Sequence, residues 1–326
     1  MKKVLVTGAT GFIGYEVANQ LIKMDLNPRL MVRRPLRGSL FARSSAEIVQ
    51  ADLLEKESLK RAVEGIDTIF HLGARASFEK YEIVKNTIVD GSVDLMNCAV
   101  EAGVERFIHA SSLLVYDDQD ALIDQNTPTS PVSGYGRAKV EAENKLSKIA
   151  AENKLTFAAI RLPHVYGARD LMFKEVRKGR AMFPGKGDNL YAHLHISDAA
   201  RVLIRVAEKN WSGITPVADY LPATWNEFFE VIRKYYPRFR TFKVPEMLAV
   251  FGTFMLTPTR WFGHYPSLYT SDAARTWNDS LAVKKGVLWN ELGIEPKYQT
   301  IYEGIPAVMD ECVVFQWVHP MDDKKG

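Results

Sequence analysis

An α/β chain built on a doubly wound parallel sheet, with a smaller irregular lobe in its second half, is the fold this sequence predicts. Three observations carry that expectation. A glycine-rich turn joins an apolar strand to a helix at the start of the chain, in Val4-Leu5-Val6-Thr7-Gly8-Ala9-Thr10-Gly11-Phe12-Ile13-Gly14. Strand-like and helix-like segments then alternate through the first half, the pattern of parallel strands joined by right-handed crossovers. Past the middle the alternation fades, and aromatic residues and prolines crowd the chain.

The elements follow in order. Lys3 to Val6 is a short apolar run bounded by the turn and predicts a buried strand. Ile13, Val17 and Leu21 recur at helical spacing and predict the helix after it. Arg29 to Arg33 predicts a second strand, and Glu47 to Gln50 a short third. Glu55 to Glu64 predicts a helix, and Thr68 to Leu72 a strand after the Gly65-Ile66-Asp67 turn. Ile83 to Ala102 predicts one long helix stopped by Gly103. Arg106 to Ser111 and Thr156 to Arg161 predict strands on either side of a helix over Tyr135 to Asn153. The expected organisation is a nucleotide-binding unit over residues 1–167 with a returning segment at about 192–218. Residues 168–191 and 219–326 form the substrate lobe. The second half carries Trp211, Trp225, Tyr235-Tyr236-Pro237, Trp261-Phe262, Tyr265-Pro266, Trp277 and Trp289. Such a lobe belongs over the carboxyl ends of the strands, where open α/β sheets bind ligands. The polar tail Met321 to Gly326 is expected to fray.

Composition narrows the function. A chain of 326 residues, 47% hydrophobic, has ample core for one large α/β domain or two joined ones. A net charge of +3 and the lack of a long basic block argue against nucleic acid as a partner. Cys98 and Cys312 lie far apart without metal-ligand or C-x-x-C spacing, so no metal is expected and both thiols suit a reducing compartment. The first strand begins at the N-terminus, so no signal peptide is expected. The most apolar stretch, Met247 to Leu256, is too short for the ~20 apolar residues of a spanning helix. A cytoplasmic protein without a membrane span is the expectation.

The chemistry starts at the glycine turn. A helix N-terminus offers free N–H groups and a positive dipole end to a pyrophosphate, and glycines let the backbone approach it. The spacing here is G-x-x-G-x-x-G. Tyr135 and Lys139 stand four apart on a predicted helix and so share a face. A phenol has an unperturbed pKa of about 10, and a neighbouring ammonium is expected to lower it toward the working range. The strand ending in Ser111-Ser112 sets a hydroxyl at the carboxyl edge, where it can hold a substrate oxygen toward that phenol.

With these pieces in order, the chain resembles the extended short-chain dehydrogenase/reductase family, part of the NAD(P)-dependent epimerase/dehydratase superfamily. The resemblance spans nearly the full length. T-G-x-x-G-x-x-G is Thr7 to Gly14, and the D-L pair after the third strand is Asp52-Leu53. The H-L-A-A-type strand end is His71-Leu72-Gly73-Ala74, and the N-x-x-G asparagine is Asn86, with Gly91 at a looser spacing. S-S-x-x-V-Y is Ser111 to Tyr116, R-P-x-x-V-Y-G is Arg161 to Gly167, and H-V-x-D-x-A is His195 to Ala200. Leu292 to Pro296 and Glu303-Gly304-Ile305 match the family's L-G-x-x-P and E-G-I pieces. The resemblance implies a Rossmann-type sheet. It implies a catalytic set of Ser112, Tyr135 and Lys139, in which Lys139 holds ribose hydroxyls and lowers the Tyr135 pKa, Ser112 orients the substrate oxygen and Tyr135 exchanges its proton as hydride moves. It implies cofactor contacts from Gly8, Gly11, Phe12, Ile13 and Gly14, from Asp52 and Leu53 near the adenine, and from Leu72, Gly73, Ala74, Asn86 and Pro163. It also implies pairing with a second copy through the helices Ile83 to Ala102 and Tyr135 to Asn153, a homodimer.

Val32-Arg33-Arg34-Pro35 closes the second strand with arginines and no acid. A carboxylate there favours NAD(H), whereas an arginine pairs with the 2′-phosphate of NADP(H), so NADP(H) is favoured. The family's sugar dehydratases carry Asp-Glu directly after the catalytic hydroxyl residue, where this chain has Leu113-Leu114, which cannot transfer protons. Its sugar epimerases commonly carry a diphosphate-gripping arginine where this chain has Tyr191. Leu113, His164, Tyr191 and His193 are the expected substrate contacts. Met247 to Phe251, Phe254 to Leu256 and Trp261-Phe262 either line an apolar pocket or form the lobe's core. The expected activity is an oxidoreductase acting on a ketone/secondary-alcohol pair of a mostly apolar small molecule, closest in character to the 3β-hydroxysteroid dehydrogenase and dihydroflavonol reductase branch. Two alternatives stand beside it: a nucleotide-sugar epimerase, and a non-catalytic NAD(P)-sensing protein.

Overall fold

The strand β1 (Val4–Thr7) shows how this sequence makes its core: Val4 and Val6 face one side of the sheet, Leu5 the other, and all three are buried. A strand covered on both faces reads as a continuous apolar run, as parallel central strands do. The computed structural model describes residues 1–74, 78–256 and 270–318. Trp261, Phe262, Tyr265, Pro266 and the Met321–Gly326 tail lie outside the described residues.

The central sheet has seven strands, all parallel: β1, β2 (Arg29–Val32), β3 (Glu47–Gln50), β4 (Thr68–His71), β5 (Arg106–Ser112), β6 (Thr156–Leu162) and an edge strand at Gly213–Pro216. Across the sheet the order runs edge strand, β6, β5, β4, β1, β2, β3. The order reverses between β1 and β4, which is the crevice where doubly wound sheets bind ligands. On one face pack α1 (Phe12–Lys23) and a later helix at Ile196–Glu208. On the other pack α2 (Lys56–Val63) and two longer helices, through Leu59, Leu95, Met96, Leu146 and their neighbours.

The long helix expected over Ile83 to Ala102 is divided. It comprises α3 (Tyr81–Lys85), a wider π turn over Asn86–Asp90, and α4 (Gly91–Glu101). Gly91 sits where this run crosses Leu53, and a Cβ on it would lie 2.9 Å from Leu53 Cβ. Such wide turns are rare and occur mostly as single-turn bulges within α-helices. The next helix, α5 (Gly134–Glu152), is capped by Ser133, whose Oγ accepts from Gly136 N–H at 3.0 Å.

Pro163 ends β6 because it brings no N–H to the ladder. The chain leaves the main sheet there as β7 (His164–Tyr166), continues through α6 (Leu171–Arg177), β8 (Arg180–Pro184) and β9 (Leu190–Tyr191), and returns as β10 (His193–His195), parallel to β7. Then come α7 (Ile196–Glu208), β11 (Gly213–Pro216, the edge strand), β12 (Ala223–Thr224), α8 (Trp225–Tyr235), β13 (Arg240–Val244), α9 (Glu246–Leu256), α10 (Ser271–Thr276), α11 (Trp289–Leu292) and α12 (Ile301–Val314). A second core of aromatic and aliphatic residues, with Phe173, Phe183, Trp225, Phe228 and Phe239 among them, joins α6, α8, β8 and α12.

One expectation fails in this lobe. Met247, Leu248 and Phe251 form neither core nor pocket wall: they are 84%, 62% and 62% exposed. α9 is apolar around its circumference and turns only part of itself, with Ala249 and Val250 half-buried, against the rest of the lobe. Cys98 and Cys312 are both buried and unbonded. Among the described residues no helix is long and apolar enough to cross a membrane.

Candidate active site

The glycine turn is shaped by backbone packing. Gly8 has φ +67°, a left-handed conformation that glycine adopts without penalty, and its carbonyl accepts from Gly11 N–H at 2.8 Å. A Cβ on Gly14 would lie 2.1 Å from the Gly8 oxygen. Thr7 Oγ1 accepts from Gly73 N–H at 2.9 Å and meets His71 Nδ1 at 2.8 Å, which ties the end of β1 to the end of β4. The result is a bare backbone cradle at the N-terminus of α1. These residues fit a dinucleotide: the turn is bare glycine backbone whose space a Cβ would fill, at a helix start that offers free N–H groups. Arg33 and Arg34 are exposed just beyond β2, with no carboxylate beside them in sequence.

A cleft of about 320 Å³ opens beside the cradle. Phe12, Ile13, Leu72, Ala74 and Pro163 border it at the strand ends, together with Ser112, Leu113, Tyr135 and Lys139. From the lobe come His164, Asp170, Met172, Tyr191, Trp225 and Trp277. The structure therefore brings together most of the residues expected from sequence. Asn86 is an exception: it is exposed at the start of the π turn and does not border the cleft. His193 is another. It is fully buried behind His164, Tyr191 and Trp225 and does not itself border the cleft. Asp52 stands at the end of β3, where its Oδ1 accepts from Leu54 N–H at 3.0 Å, and Leu53 is buried against Gly91.

The Ser/Tyr/Lys set is held from two elements, β5 and α5. Ser112 ends β5, and its Oγ accepts from Leu114 N–H at 3.2 Å. The Ser112 hydroxyl lies close enough to the Tyr135 phenol to favour its ionised form. Lys139 is only 3% exposed, donates to the Ala110 carbonyl at 2.6 Å, and lies 5.8 Å from the Tyr135 ring centroid. Burial brings its ammonium down to about 8, opposed by Glu143 one turn along α5. Burial also pushes the Tyr135 phenol up to about 12, with the Ser112 hydroxyl pulling the other way. The expected lowering of the phenol is thus reversed in this structure. The cost of putting a phenolate in a dry pocket outweighs an ammonium that is itself desolvated. Tyr135 consequently holds its proton at neutral pH.

Glu143 anchors this helix. Its carboxylate accepts from Arg161 Nε at 3.1 Å and from Nη2 at 2.8 Å, and Arg161 Nη1 donates to the Tyr116 hydroxyl at 2.7 Å. The pair is buried and bidentate, so removing one partner strands the other charge. Glu143→Ala is expected to cost about 3–5 kcal/mol of folding stability, measured by urea unfolding. A loss below about 1 kcal/mol would place the pair in solvent-like surroundings.

Sequence reasoning missed Phe78, Asp170, Met172 and Trp277 as cleft residues. The only signal available was the crowding of aromatics in the second half, which names no wall.

A cofactor cradle at a strand-order reversal, next to a Ser/Tyr/Lys set, defines a dinucleotide-dependent short-chain dehydrogenase/reductase enzyme. Residues 4–218 match the NAD dependent epimerase/dehydratase family, and the chain belongs to it. It is 30% identical over 242 residues to a trifunctional UDP-glucose 4,6-dehydratase/UDP-4-keto-6-deoxy-D-glucose 3,5-epimerase/UDP-4-keto-L-rhamnose-reductase of Arabidopsis thaliana, covering 65% of this chain but only 36% of that protein. It is 23% identical over 241 residues to a 4-hydroxy-2-methyl-3-oxo-4-farnesyl-3,4-dihydroquinoline-1-oxide ketoreductase of Stigmatella aurantiaca, covering 71% and 72% of the two chains. MoeE5 in complex with UDP-glucose and NAD has the same fold, with a TM-score of 0.78 at 23% identity over 96% of this chain and 99% of that one.

Proposed function

We propose that this enzyme interconverts a ketone and a secondary alcohol on a mostly apolar small molecule, with NADP(H) favoured over NAD(H). The carrying observation is the cleft wall: Phe78, Leu113, Leu114, Met172, Tyr191, Trp225 and Trp277 surround the Ser112–Tyr135 pair, and Lys139 is its only cation among the described residues. A diphosphate needs more positive charge than that, and Leu113-Leu114 offers no proton for sugar dehydration. A ketone flanked by hydrocarbon gains by leaving water for such a wall. A similar ketoreductase, that of Stigmatella aurantiaca, bears a farnesyl-substituted name.

When bound, the nicotinamide supplies or takes the hydride. The rest falls to the chain. Gly8 to Gly14 would hold the pyrophosphate on the N-terminus of α1, and Arg33 and Arg34 would take the 2′-phosphate. Leu72, Gly73, Ala74 and Pro163 would lie beside the nicotinamide, and Lys139 would hold the ribose hydroxyls. Ser112 donates to the carbonyl oxygen and fixes it beside Tyr135. Tyr135, kept protonated by burial, gives its proton to that oxygen in the reductive direction.

The test is turnover followed by NADPH absorbance across apolar ketones, aldehydes and nucleotide sugars. Reduction of apolar ketones supports the reading. An epimerised product from a nucleotide sugar, detected by product analysis with no net change in NADPH, would replace it with sugar epimerisation. For the coenzyme, replacing both Arg33 and Arg34 with alanine is expected to raise the KM for NADPH about tenfold, from the loss of charge-assisted hydrogen bonds. The KM for NADH should hold steady. Equal losses for both coenzymes would remove the 2′-phosphate assignment.

A further inference from the structure

The cleft wall carries a polar group that the proposed chemistry does not use. β7 and β10 pair with His164 directly beside His193. The two Nδ1 atoms are 3.0 Å apart, so one donates and the other accepts. His193 Nε2 lies 3.2 Å from the Ala223 carbonyl, which can only accept, so that nitrogen carries hydrogen. His193 is fully buried among Trp225, Phe228 and Tyr191, and burial pushes its imidazole down to stay neutral. Its Nδ1 is therefore bare. His164 Nδ1 must carry the hydrogen between them, and only His164 Nε2 is free to change.

That nitrogen borders the cleft and faces Asp170 Oδ2 at 3.5 Å, beyond hydrogen-bond length. Asp170 Oδ2 is shielded from solvent and has no hydrogen-bond partner among the described residues. Each side chain is only 14% exposed. A small turn of the Asp170 carboxylate toward the cleft would let one ligand oxygen stand about 2.8 Å from both groups, at ordinary hydrogen-bond length. With one proton on the pair, a hydroxyl completes the set by accepting from His164 Nε2–H and donating to Asp170 Oδ2. A carbonyl or ether oxygen can only accept, and hydrocarbon does neither. Both would leave Asp170 unpaired.

We infer that His164 and Asp170 form a hydroxyl-binding subsite, in which an alcohol or phenol of the substrate distal to the reacting carbonyl is anchored. His193 acts as the positioning residue that fixes the His164 tautomer. The inference rests on the ketone/alcohol reading of the cleft and narrows its substrates to hydroxy-ketones.

The test uses three pairs of ketones that differ only in a distal hydroxyl: para-hydroxyacetophenone and acetophenone, para-hydroxybenzylacetone and benzylacetone, and dihydrotestosterone and its deoxy analogue. Affinity is read from the fluorescence of Trp225, whose ring lies 4.8 Å from His164, in the whole protein, with a Trp225→Phe control. KM is read in parallel by turnover. At the spacing that reaches the subsite, the hydroxylated member should bind about 10- to 100-fold tighter, the range for a hydrogen bond to a charged group. Asp170→Asn and His164→Phe should each bring that ratio to within about twofold. The asparagine amide preserves shape while donating to His164 and closing the gap. Equal binding within every pair, no binding of any hydroxylated member, or a preference that survives both substitutions overturns the subsite. Absence of ketone turnover alongside a preference erased by Asp170→Asn would instead retire the ketone/alcohol reading and keep the subsite.

Discussion

Tyr135→Phe is expected to lower kcat about 10²- to 10⁴-fold, the usual worth of a positioned general acid, while NADPH affinity stays near that of the unmodified chain. The phenol hydroxyl is the proton source that the cleft offers beside Ser112, and burial keeps it protonated up to about 12. Phenylalanine keeps the ring's packing and removes only the hydroxyl, so folding should be preserved. The measurement is single-turnover reduction of an apolar ketone at saturating NADPH, with a fluorescence titration of NADPH on the same protein. Turnover within a few fold of the unmodified enzyme would take the proton-donor role away from Tyr135. Equal losses in affinity and rate would point to a structural role instead.

Gly14→Ala is the second large effect, and its cause is steric. The added Cβ would sit 2.1 Å from Gly8 O, 2.7 Å from Gly8 C and 3.1 Å from Ala9 Cα. All three are backbone atoms that no rotamer change can move aside. The first turn of α1 must shift away from the end of β1, carrying the cradle with it. A displacement near 1 Å at such a site is enough for roughly 100-fold, so the Kd for NADPH should rise by about that factor. The overpacking should also cost about 1–3 kcal/mol of stability, read from urea unfolding of the cofactor-free protein. Unchanged NADPH affinity would show that the dinucleotide does not use this turn. Alanine at Gly103 is the control, since a Cβ there meets nothing within 4 Å and its φ of +75° limits the effect to local strain.

Much of this was legible because its physics is local. Val4 to Val6 reads as a buried strand from three residues. Tyr135 and Lys139 share a face because four residues make about one helical turn. Ser112 reads as the close of a strand because the Arg106 to Ser111 run ends beside it. The division of the Ile83 to Ala102 helix was not legible. Its π turn accompanies a crossing with Leu53, far away along the chain. The exposure of Met247, Leu248 and Phe251 also ran against composition, which scores them as core whatever surrounds them.

Sequence order and spacing were thus sufficient for the α/β alternation, the glycine turn and the shared face of Tyr135 and Lys139, each of which depends on residues within a turn or a strand of one another. Tertiary structure alone decided the rest. It set His164 against His193 and Asp170, gathered Phe78, Trp225 and Trp277 into one wall, and buried Lys139 so that its ammonium falls to about 8 while the Tyr135 phenol rises. Those outcomes depend on which distant segments exclude water from a given atom. Desolvation belongs to the packed chain, and no window of sequence contains it.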